Sequence, residues 1–169
     1  MEYLRNSRSG AGADDPWIRG YVDAVEKATA AAETDRSHSS GPRGHGTILL
    51  VDDDAQSCEL ARTILTHCGY TLLVANDVAG AQKWAASHPG PIHLLLTDLA
   101  VAGTAGREIA RRVCATRRET RVLYMSSTSP HAIPNEALDV GARFLPKPFT
   151  ASALVERVRA AMDEPASRA

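Results

Sequence analysis

The chain has 169 residues, 44% of them hydrophobic, and a formal net charge of −1 from 19 basic and 20 acidic residues. This size and composition predict one packed domain with additional segments, and they argue against a fully disordered chain. Basic and acidic residues balance both before and after residue 46, so a phosphate-binding surface for nucleic acid is not expected.

The cysteines and the apolar runs indicate in which cellular compartment the protein is expected. Cys58, Cys68 and Cys114 form no CxxC pair, so neither a disulfide framework nor a thiolate zinc site is expected. Cys58 follows an acidic cluster, yet nothing near it in the sequence suggests a lowered pKa. The first residues contain no apolar leader, and no apolar run reaches membrane-spanning length. We therefore expect a cytoplasmic protein that does not bind a membrane.

Residues 1–46 read as an N-terminal extension. Residues 1–13 are polar and are predicted to be disordered. Residues 14–33 are predicted to be helical, because Pro16 suits a first turn and apolar residues then recur at helical spacing. Residues 34–46 are rich in Gly, Ser and His and predict a flexible linker.

From residue 47 onward, strand and helix patterns alternate five times. The predicted strands are 47–51, 71–75, 92–97, 121–125 and 142–146. The predicted helices are 55–68, 77–87, 105–117, a weak one near 130–140, and 151–162, followed by a short tail at 163–169. This alternation predicts an α/β fold, a doubly wound parallel sheet with helices on both faces.

Local signals mark several helix ends. Asp54 and Thr150 are suitable N-caps, and either Asn76 or Asp77 can cap the second helix. Gly69 is typical of a glycine that stops a helix.

Charged and hydroxyl side chains follow four of the predicted strands. Asp52 and Asp53 follow the first strand, Asp98 the third, Ser126 the fourth and Lys147 the fifth. The carboxyl ends of strands in an open parallel sheet line a single crevice, so we expect these residues to converge there. Since the chain has only three lysines, a lysine between prolines directly after an apolar strand stands out. A cis Lys147–Pro148 peptide would aim the ammonium over the strand ends, but trans is the default expectation.

The acidic residues predict a cation site. Three carboxylates close together repel each other and need a cation or a raised pKa. Oxygen ligands without histidine favour Mg²⁺, with Asp52, Asp53 and Asp98 as candidate ligands. A carboxylate beside a metal is a suitable nucleophile for phosphoryl transfer, with Lys147 and Ser126 balancing the developing charge.

Four segments carry a resemblance to a known family. They are ILLVDDD at 48–54, LLLTD at 94–98, VLYMS at 122–126 and FLPKPF at 144–149. In order and spacing they resemble the response-regulator receiver domains of two-component signalling, and are similar to the chemotaxis receiver protein. The resemblance covers 47–162 and implies a flavodoxin-like five-stranded sheet of order 2-1-3-4-5.

The resemblance also implies roles for individual residues. Asp98 would accept a phosphoryl group from a histidine kinase or a phosphotransfer protein, and hydrolysis of the aspartyl phosphate would reset it. Asp52, Asp53 and the backbone carbonyl of Ala100 would place Mg²⁺. Ser126 matches the family's switch Ser/Thr, and Lys147 matches its lysine. Phe144 matches the aromatic residue that changes rotamer on activation.

The loop after Asp98 departs from the family pattern. Val101 and Ala102 stand where Met-Pro is frequent, and Ala105 stands where a small polar helix cap is usual. Thr104 is predicted to act as that cap instead, within a loop at 99–104.

Two alternative functions stay open at this point. An alternative is a phosphohydrolase of the haloacid dehalogenase type, although Gln56 lacks the hydroxyl of that pattern and Asp98 would have no role. A second alternative is a receiver-like scaffold that works without phosphorylation. Because the chain ends soon after 151–162, we expect no output domain, and hence signalling through a partner protein or through residues 1–46.

Overall fold

The computed structural model describes residues 44–127 and 143–163. The predicted helix at 14–33, the predicted helix near 130–140 and nearly all of the predicted tail therefore lie outside the described residues. Most of the predicted linker lies outside them as well.

The described elements follow the predicted order closely. The strands are β1 (Thr47–Val51), β2 (Thr71–Ala75), β3 (Leu94–Asp98), β4 (Ala100–Val101), β5 (Thr104–Ala105), β6 (Arg121–Ser126) and β7 (Arg143–Pro146). The helices are α1 (Ala55–His67), α2 (Val78–Ser87), α3 (Gly106–Thr116) and α4 (Ala151–Asp163). The largest boundary error is at β3, which begins two residues later than predicted and includes Asp98.

Five of the strands form one parallel sheet in the order β2-β1-β3-β6-β7. Apart from the small hairpin β4-β5, this is the predicted order 2-1-3-4-5, so the doubly wound fold is confirmed. The register aligns Val51 with Thr97, Asp98 with Met125, and Ser126 with Pro146. The residues that follow these strands therefore lie at one edge of the sheet.

The sheet is buried on both faces. Every residue from Ile48 to Val51 and from Leu94 to Leu96 has no exposed surface. Because successive side chains of a strand point to opposite faces, these apolar runs supply two cores at once. One core contains Leu49, Val51 and Leu95 together with residues of α2 and α3. Helices α1 and α4 contact each other as a second pair.

Several predicted helix ends are confirmed. Asp54 caps α1 by accepting hydrogen bonds from the N–H groups of Gln56 and Ser57, and Asp77 caps α2 through the N–H of Gly80. Helix α1 ends in a Schellman arrangement, in which Gly69 has φ +96° and Tyr70 donates to the carbonyl of Leu65. For α4, the Thr150 hydroxyl accepts from the N–H of Ala153.

The segment 99–105 corrects two predictions. It is not a plain loop, because β4 and β5 pair antiparallel, with Val101 opposite Thr104. Their turn places Ala102 at φ +47° and Gly103 at φ +80°, the positive values of a type I′ hairpin turn. Thr104 does not cap α3, since it belongs to β5. Ala105 occupies the N-cap position without a side-chain cap bond.

Across residues 44–127 and 143–163, no helix is both long enough and apolar enough to cross a membrane.

Candidate functional site

The side chain of Lys147 connects two of the predicted carboxylates. Its Nζ donates hydrogen bonds to Asp52 Oδ2 and to Asp98 Oδ2, each at 2.6 Å. The three residues come from the ends of β1, β3 and β7, so the parallel sheet brings together positions up to 95 residues apart. The predicted convergence of these strand ends is therefore found for Asp52, Asp98 and Lys147.

Asp52 is almost fully buried and is hydrogen-bonded to the chain. Only 1% of it is exposed, and its Oδ1 accepts a 3.0 Å hydrogen bond from the backbone N–H of Asp54. Its backbone N–H donates to the carbonyl of Ala75, which extends the pairing of β1 with β2. A buried carboxylate is stable only when it is paired, and here the Lys147 ammonium is the partner.

The environment of Lys147 favours its charged form. Burial disfavours the ammonium, but the hydrogen bonds that it donates to Asp52 and Asp98 outweigh burial and raise the pKa of Lys147 above its ordinary value of 10.5. The backbone N–H of Lys147 donates to the carbonyl of Ser126 at 2.7 Å. The Lys147–Pro148 peptide is cis, so the default expectation of a trans bond was wrong.

Asp53 is exposed and is oriented by the hairpin. Its Oδ2 accepts a 2.9 Å hydrogen bond from the backbone N–H of Ala102, 49 residues away. The backbone N–H of Ala100 lies 3.4 Å from Asp98 Oδ1, at the long end of hydrogen-bond distances. The hairpin thus supplies N–H groups to two carboxylates, a role that sequence patterns alone did not indicate.

Ser126 and Phe144 lie at the neighbouring strands. Ser126 ends β6 and is 3% exposed, beside Pro146 of β7. Phe144 is half-buried, and its ring stacks on that of Tyr124 with centroids 5.6 Å apart and planes at 23°. The roles of both residues as switch positions remain predictions.

Gly106 is a residue of this region that the sequence analysis missed. It is buried at the start of α3, and its N–H donates to the carbonyl of Leu99 at 2.7 Å. A Cβ at Gly106 would lie 2.2 Å from the carbonyl oxygen of Asp98. Only glycine allows α3 to begin so close to the end of β3. The sequence does show an Ala-Gly pair after Thr104, but only the contact with Asp98 explains why glycine is needed at position 106.

A cleft of about 470 Å³ opens beside Asp52 and Asp53, and Cys58 lies on its wall. The Cys58 thiol donates to the carbonyl of Asp52. Burial, reinforced by the nearby charge of Asp52, raises the pKa of Cys58 to about 11. The expectation that this pKa is not lowered is therefore confirmed, and the neutral thiol is a poor nucleophile.

The donor set suits a hard cation. Asp52, Asp53 and Asp98 carry three carboxylates against one ammonium at this edge, and all their donor atoms are oxygen. No group of three or more His, Cys, Asp or Glu side chains in the described residues is gathered closely enough to hold a metal ion by itself. Oxygen donors of this kind are the ligands that hard divalent cations take in proteins.

Comparison with known proteins gives a family match. The family described as "Response regulator receiver domain" matches residues 48–159. The transcriptional regulatory protein YkoG of Bacillus subtilis (strain 168), whose function is uncharacterized, is 31% identical over 120 residues. That alignment covers 69% of this chain and 51% of YkoG. The chain thus spans about half the length of this relative.

Solved structures give the same fold. The receiver domain of the hybrid histidine kinase CckA is 28% identical, with a TM-score of 0.59, and the match covers 70% of this chain and 100% of that one. A response regulator from Burkholderia pseudomallei, solved with a phosphorylated aspartic acid, calcium and citrate, is 23% identical, with a TM-score of 0.59. That match covers 70% of this chain and 66% of the other.

Proposed function

The chain belongs to the response regulator receiver domain family, and from this premise we propose that it is a phosphorylation-dependent signalling switch whose phosphoacceptor is Asp98. The observation that carries the proposal is the contact of Lys147 Nζ with both Asp52 and Asp98 at 2.6 Å. It joins an acceptor carboxylate, an acidic neighbour and a cation at the sheet edge where the strands end.

The phosphoryl step balances with the groups at hand. An Asp98 carboxylate oxygen forms a bond to phosphorus, and the phosphorus–nitrogen bond of a phosphohistidine donor breaks. The histidine keeps the bonding electrons and takes up a proton. Lys147 is held charged beside Asp98, so it can balance the negative charge that collects on the phosphoryl oxygens. Hydrolysis of the aspartyl phosphate then restores the carboxylate.

Asp52 and Asp53 would hold a divalent cation, for which we propose Mg²⁺, with the Ala100 carbonyl as a further ligand. When bound, this ion neutralises charge on the transferring phosphoryl group. The N–H of Ala102 fixes the direction of the Asp53 carboxylate, and the N–H of Asp54 does the same for Asp52. The Burkholderia pseudomallei regulator of the same fold was solved with calcium, which is a divalent ion.

Phosphorylation would act as an electrostatic switch. It replaces one negative charge on Asp98 by a phosphoryl group with nearly two, and it adds strong acceptor oxygens. Lys147 and the Ser126 hydroxyl would move towards those oxygens, because both lie at adjacent strand ends. Phe144, which stacks on Tyr124 of the neighbouring strand, would change rotamer with the shift.

The phosphohydrolase alternative receives less support. Its Asp-x-Asp pattern would need Asp54 as a catalytic carboxylate, but Asp54 is engaged in capping α1. Lys147 also contacts Asp98, a residue to which the phosphohydrolase alternative assigns no function. The chemistry proposed here is limited to phosphorylation and dephosphorylation of the protein itself.

We propose a sensor histidine kinase or a phosphotransfer protein as the donor, acting in the cytoplasm, and a protein as the downstream partner. The name of YkoG describes a transcriptional regulator, and this chain matches about half of it. Direct nucleic acid binding is not part of the proposal.

Intact mass spectrometry after incubation with Mg²⁺ and acetyl phosphate tests the proposal. We expect one labile phosphoryl adduct that disappears with a chelator and is absent from Asp98→Ala. Glu119→Ala is the matched control, because Glu119 is an exposed carboxylate just before β6, at the opposite end of the strands from the site, and it should keep the adduct.

Two results would contradict the proposal. An adduct that persists in Asp98→Ala would place the acceptor elsewhere. Absence of an adduct from both acetyl phosphate and a phosphorylated histidine phosphotransfer protein, with Mg²⁺ binding shown by titration, would favour the phosphorylation-independent scaffold.

A further inference from the structure

Helix α3, the turn after it and the first residue of β6 hold more arginines than the rest of the described residues together. The whole chain has a formal net charge of −1, yet residues 106–121 carry six arginines against two glutamates. The arginines are Arg107, Arg111, Arg112, Arg117, Arg118 and Arg121, and the glutamates are Glu108 and Glu119. Charge averaged over the whole domain conceals this concentration.

The helix separates its charges from its core. Ile109, Ala110 and Val113 are buried against the sheet. On the opposite side, the Arg111 and Arg112 side chains are 68% and 42% exposed. Arginines on a solvent-facing surface beside a rigid core are available to a partner without any change in fold.

Arg117 differs from the others because it serves the fold. Its guanidinium donates to the carbonyls of Ala85 at 2.7 Å and Gly90 at 3.2 Å, and also to the carbonyl of His88. These carbonyls lie at the end of α2 and just beyond it, where the helix dipole favours a cation. We therefore define the arginine face by the four exposed residues Arg107, Arg111, Arg112 and Arg118.

Glu108 shows how this face binds a carboxylate. Arg111 donates to both Glu108 oxygens, from Nε at 2.7 Å and from Nη2 at 2.8 Å. Arg112 donates to the same carboxylate from Nε at 2.7 Å. One carboxylate is thus shared by two guanidinium groups, so Arg111 and Arg112 together keep a surplus of positive charge. Planar guanidinium groups match carboxylates in this two-point geometry.

We propose that the arginine face is a docking surface for an acidic segment of a partner protein. A duplex nucleic acid is the less suitable occupant, because it presents phosphates at uniform spacing. Two exposed or partly exposed glutamates, Glu108 and Glu119, would repel them. A protein segment can place its carboxylates between these glutamates.

The position of α3 connects this surface to the candidate phosphorylation site. Gly106 opens the helix in contact with the backbone of Leu99 and Asp98. Docking needs only the folded helix, whereas a response of docking to phosphorylation rests on the proposed function of Asp98. An experiment can therefore contradict either the docking surface or its response to phosphorylation without contradicting the other.

Fluorescence anisotropy with a labelled peptide of alternating glutamate and alanine tests the docking surface. We expect the intact chain to bind this peptide, to bind the glutamine version at least about tenfold more weakly, and to lose affinity as salt is raised. The double variant Arg111→Ala/Arg112→Ala should bind the glutamate peptide at least about tenfold more weakly. Glu108→Gln should bind it more tightly, because both guanidinium groups are released from their internal partner.

Arg62→Ala is the matched control. Arg62 lies on α1, is 51% exposed and forms the same kind of two-point pair with Glu59. It should leave peptide affinity unchanged. The gain expected for Glu108→Gln also separates a docking effect from damage to the fold.

Three results would overturn the docking proposal. The first is equal binding of the glutamate and glutamine peptides. The second is unchanged affinity in the double arginine variant. The third is tighter binding of a DNA duplex that displaces the peptide, which would assign the face to nucleic acid. Acetyl phosphate could yield no adduct while the arginine substitutions still weaken peptide binding. In that case the docking surface is supported, and only a response of docking to phosphorylation of Asp98 is contradicted.

Discussion

Gly106 lies directly against the carbonyl oxygen of Asp98, and a Cβ at Gly106 would stand 2.2 Å from that oxygen. The N–H of Gly106 also donates to the carbonyl of Leu99 at 2.7 Å. Because both contacts are with backbone, neither can be relieved by rotating a side chain. Helix α3 is therefore tied to the end of the strand that carries the proposed phosphoacceptor.

We expect Gly106→Ala to lower the free energy of unfolding by about 1–3 kcal/mol, the usual cost of overpacking. The measurement is urea unfolding followed by circular dichroism. Gly90→Ala is the control, since a Cβ there would meet only the His88 side chain, at 3.3 Å. Equal stability losses in the two variants would show that the contact with Asp98 is not the cause.

Lys147→Ala should destabilise the chain when a chelator is present. It leaves the Asp52 carboxylate, which is 1% exposed, without its ammonium partner. Breaking a buried ion pair costs about 3–5 kcal/mol, and the 19% exposure of the Asp98 side chain favours the lower end of that range. Chemical unfolding with and without Mg²⁺ measures the loss, and the added ion should reduce it.

Lys83→Ala is the control for that experiment, because Lys83 is exposed on α2. Its substitution should change the free energy of unfolding by less than about 0.5 kcal/mol. A Lys147 variant as stable as the Lys83 variant would mean that the ion pair contributes nothing to stability.

Ala102→Gly should stabilise the hairpin. Ala102 has φ +47°, where a Cβ is unfavourable, and its N–H must remain to bind Asp53. Glycine removes the steric cost but loses more entropy on folding, so we expect a net gain of about 0.5–1 kcal/mol. Thermal unfolding measures it, and Mg²⁺ affinity should be unchanged.

Ala102→Pro makes the opposite test at the same position. Proline cannot adopt a positive φ and has no N–H to donate to Asp53. Both stability and Mg²⁺ affinity should fall. Wild-type Mg²⁺ affinity in this variant would show that Ala102 does not orient a metal ligand.

Glu108 should contribute to stability in a defined pH range. Hydrogen bonds from Arg111 and then Arg112 lower its pKa to about 2, from an ordinary value of 4.5. A carboxyl with a depressed folded-state pKa stabilises the fold above pH 4.5, and that contribution is lost as the pH falls towards 2. The effect should be small, because the pairs face solvent and are screened by salt.

The measurement is the difference in melting temperature between the intact chain and Glu108→Gln. It should be largest above pH 4.5, shrink as the pH falls towards 2 and decrease at high salt. A difference that is constant over this range would show that Glu108 acts by packing and not by its charge.

The sequence by itself determined the sheet and most of the site. Apolar runs such as 48–51 and 94–96 fit strands buried on both faces, and their alternation with helices predicts parallel connections. Once the strands are parallel, their ends share one edge, so the meeting of Asp52, Asp98 and Lys147 followed from their positions after strands. The caps Asp54 and Thr150 were also readable, because such bonds span only two or three residues.

Only the tertiary structure showed the features that depend on two distant segments of backbone coming into contact. The hairpin at 100–105 has too few residues for a periodic pattern, and its N–H contact from Ala102 to Asp53 spans 49 residues. The need for glycine at 106 comes from a carbonyl that sequence cannot position. Which side of α3 is buried was likewise decided by packing, which encloses Ile109, Ala110 and Val113 and leaves the Arg111 and Arg112 side chains exposed.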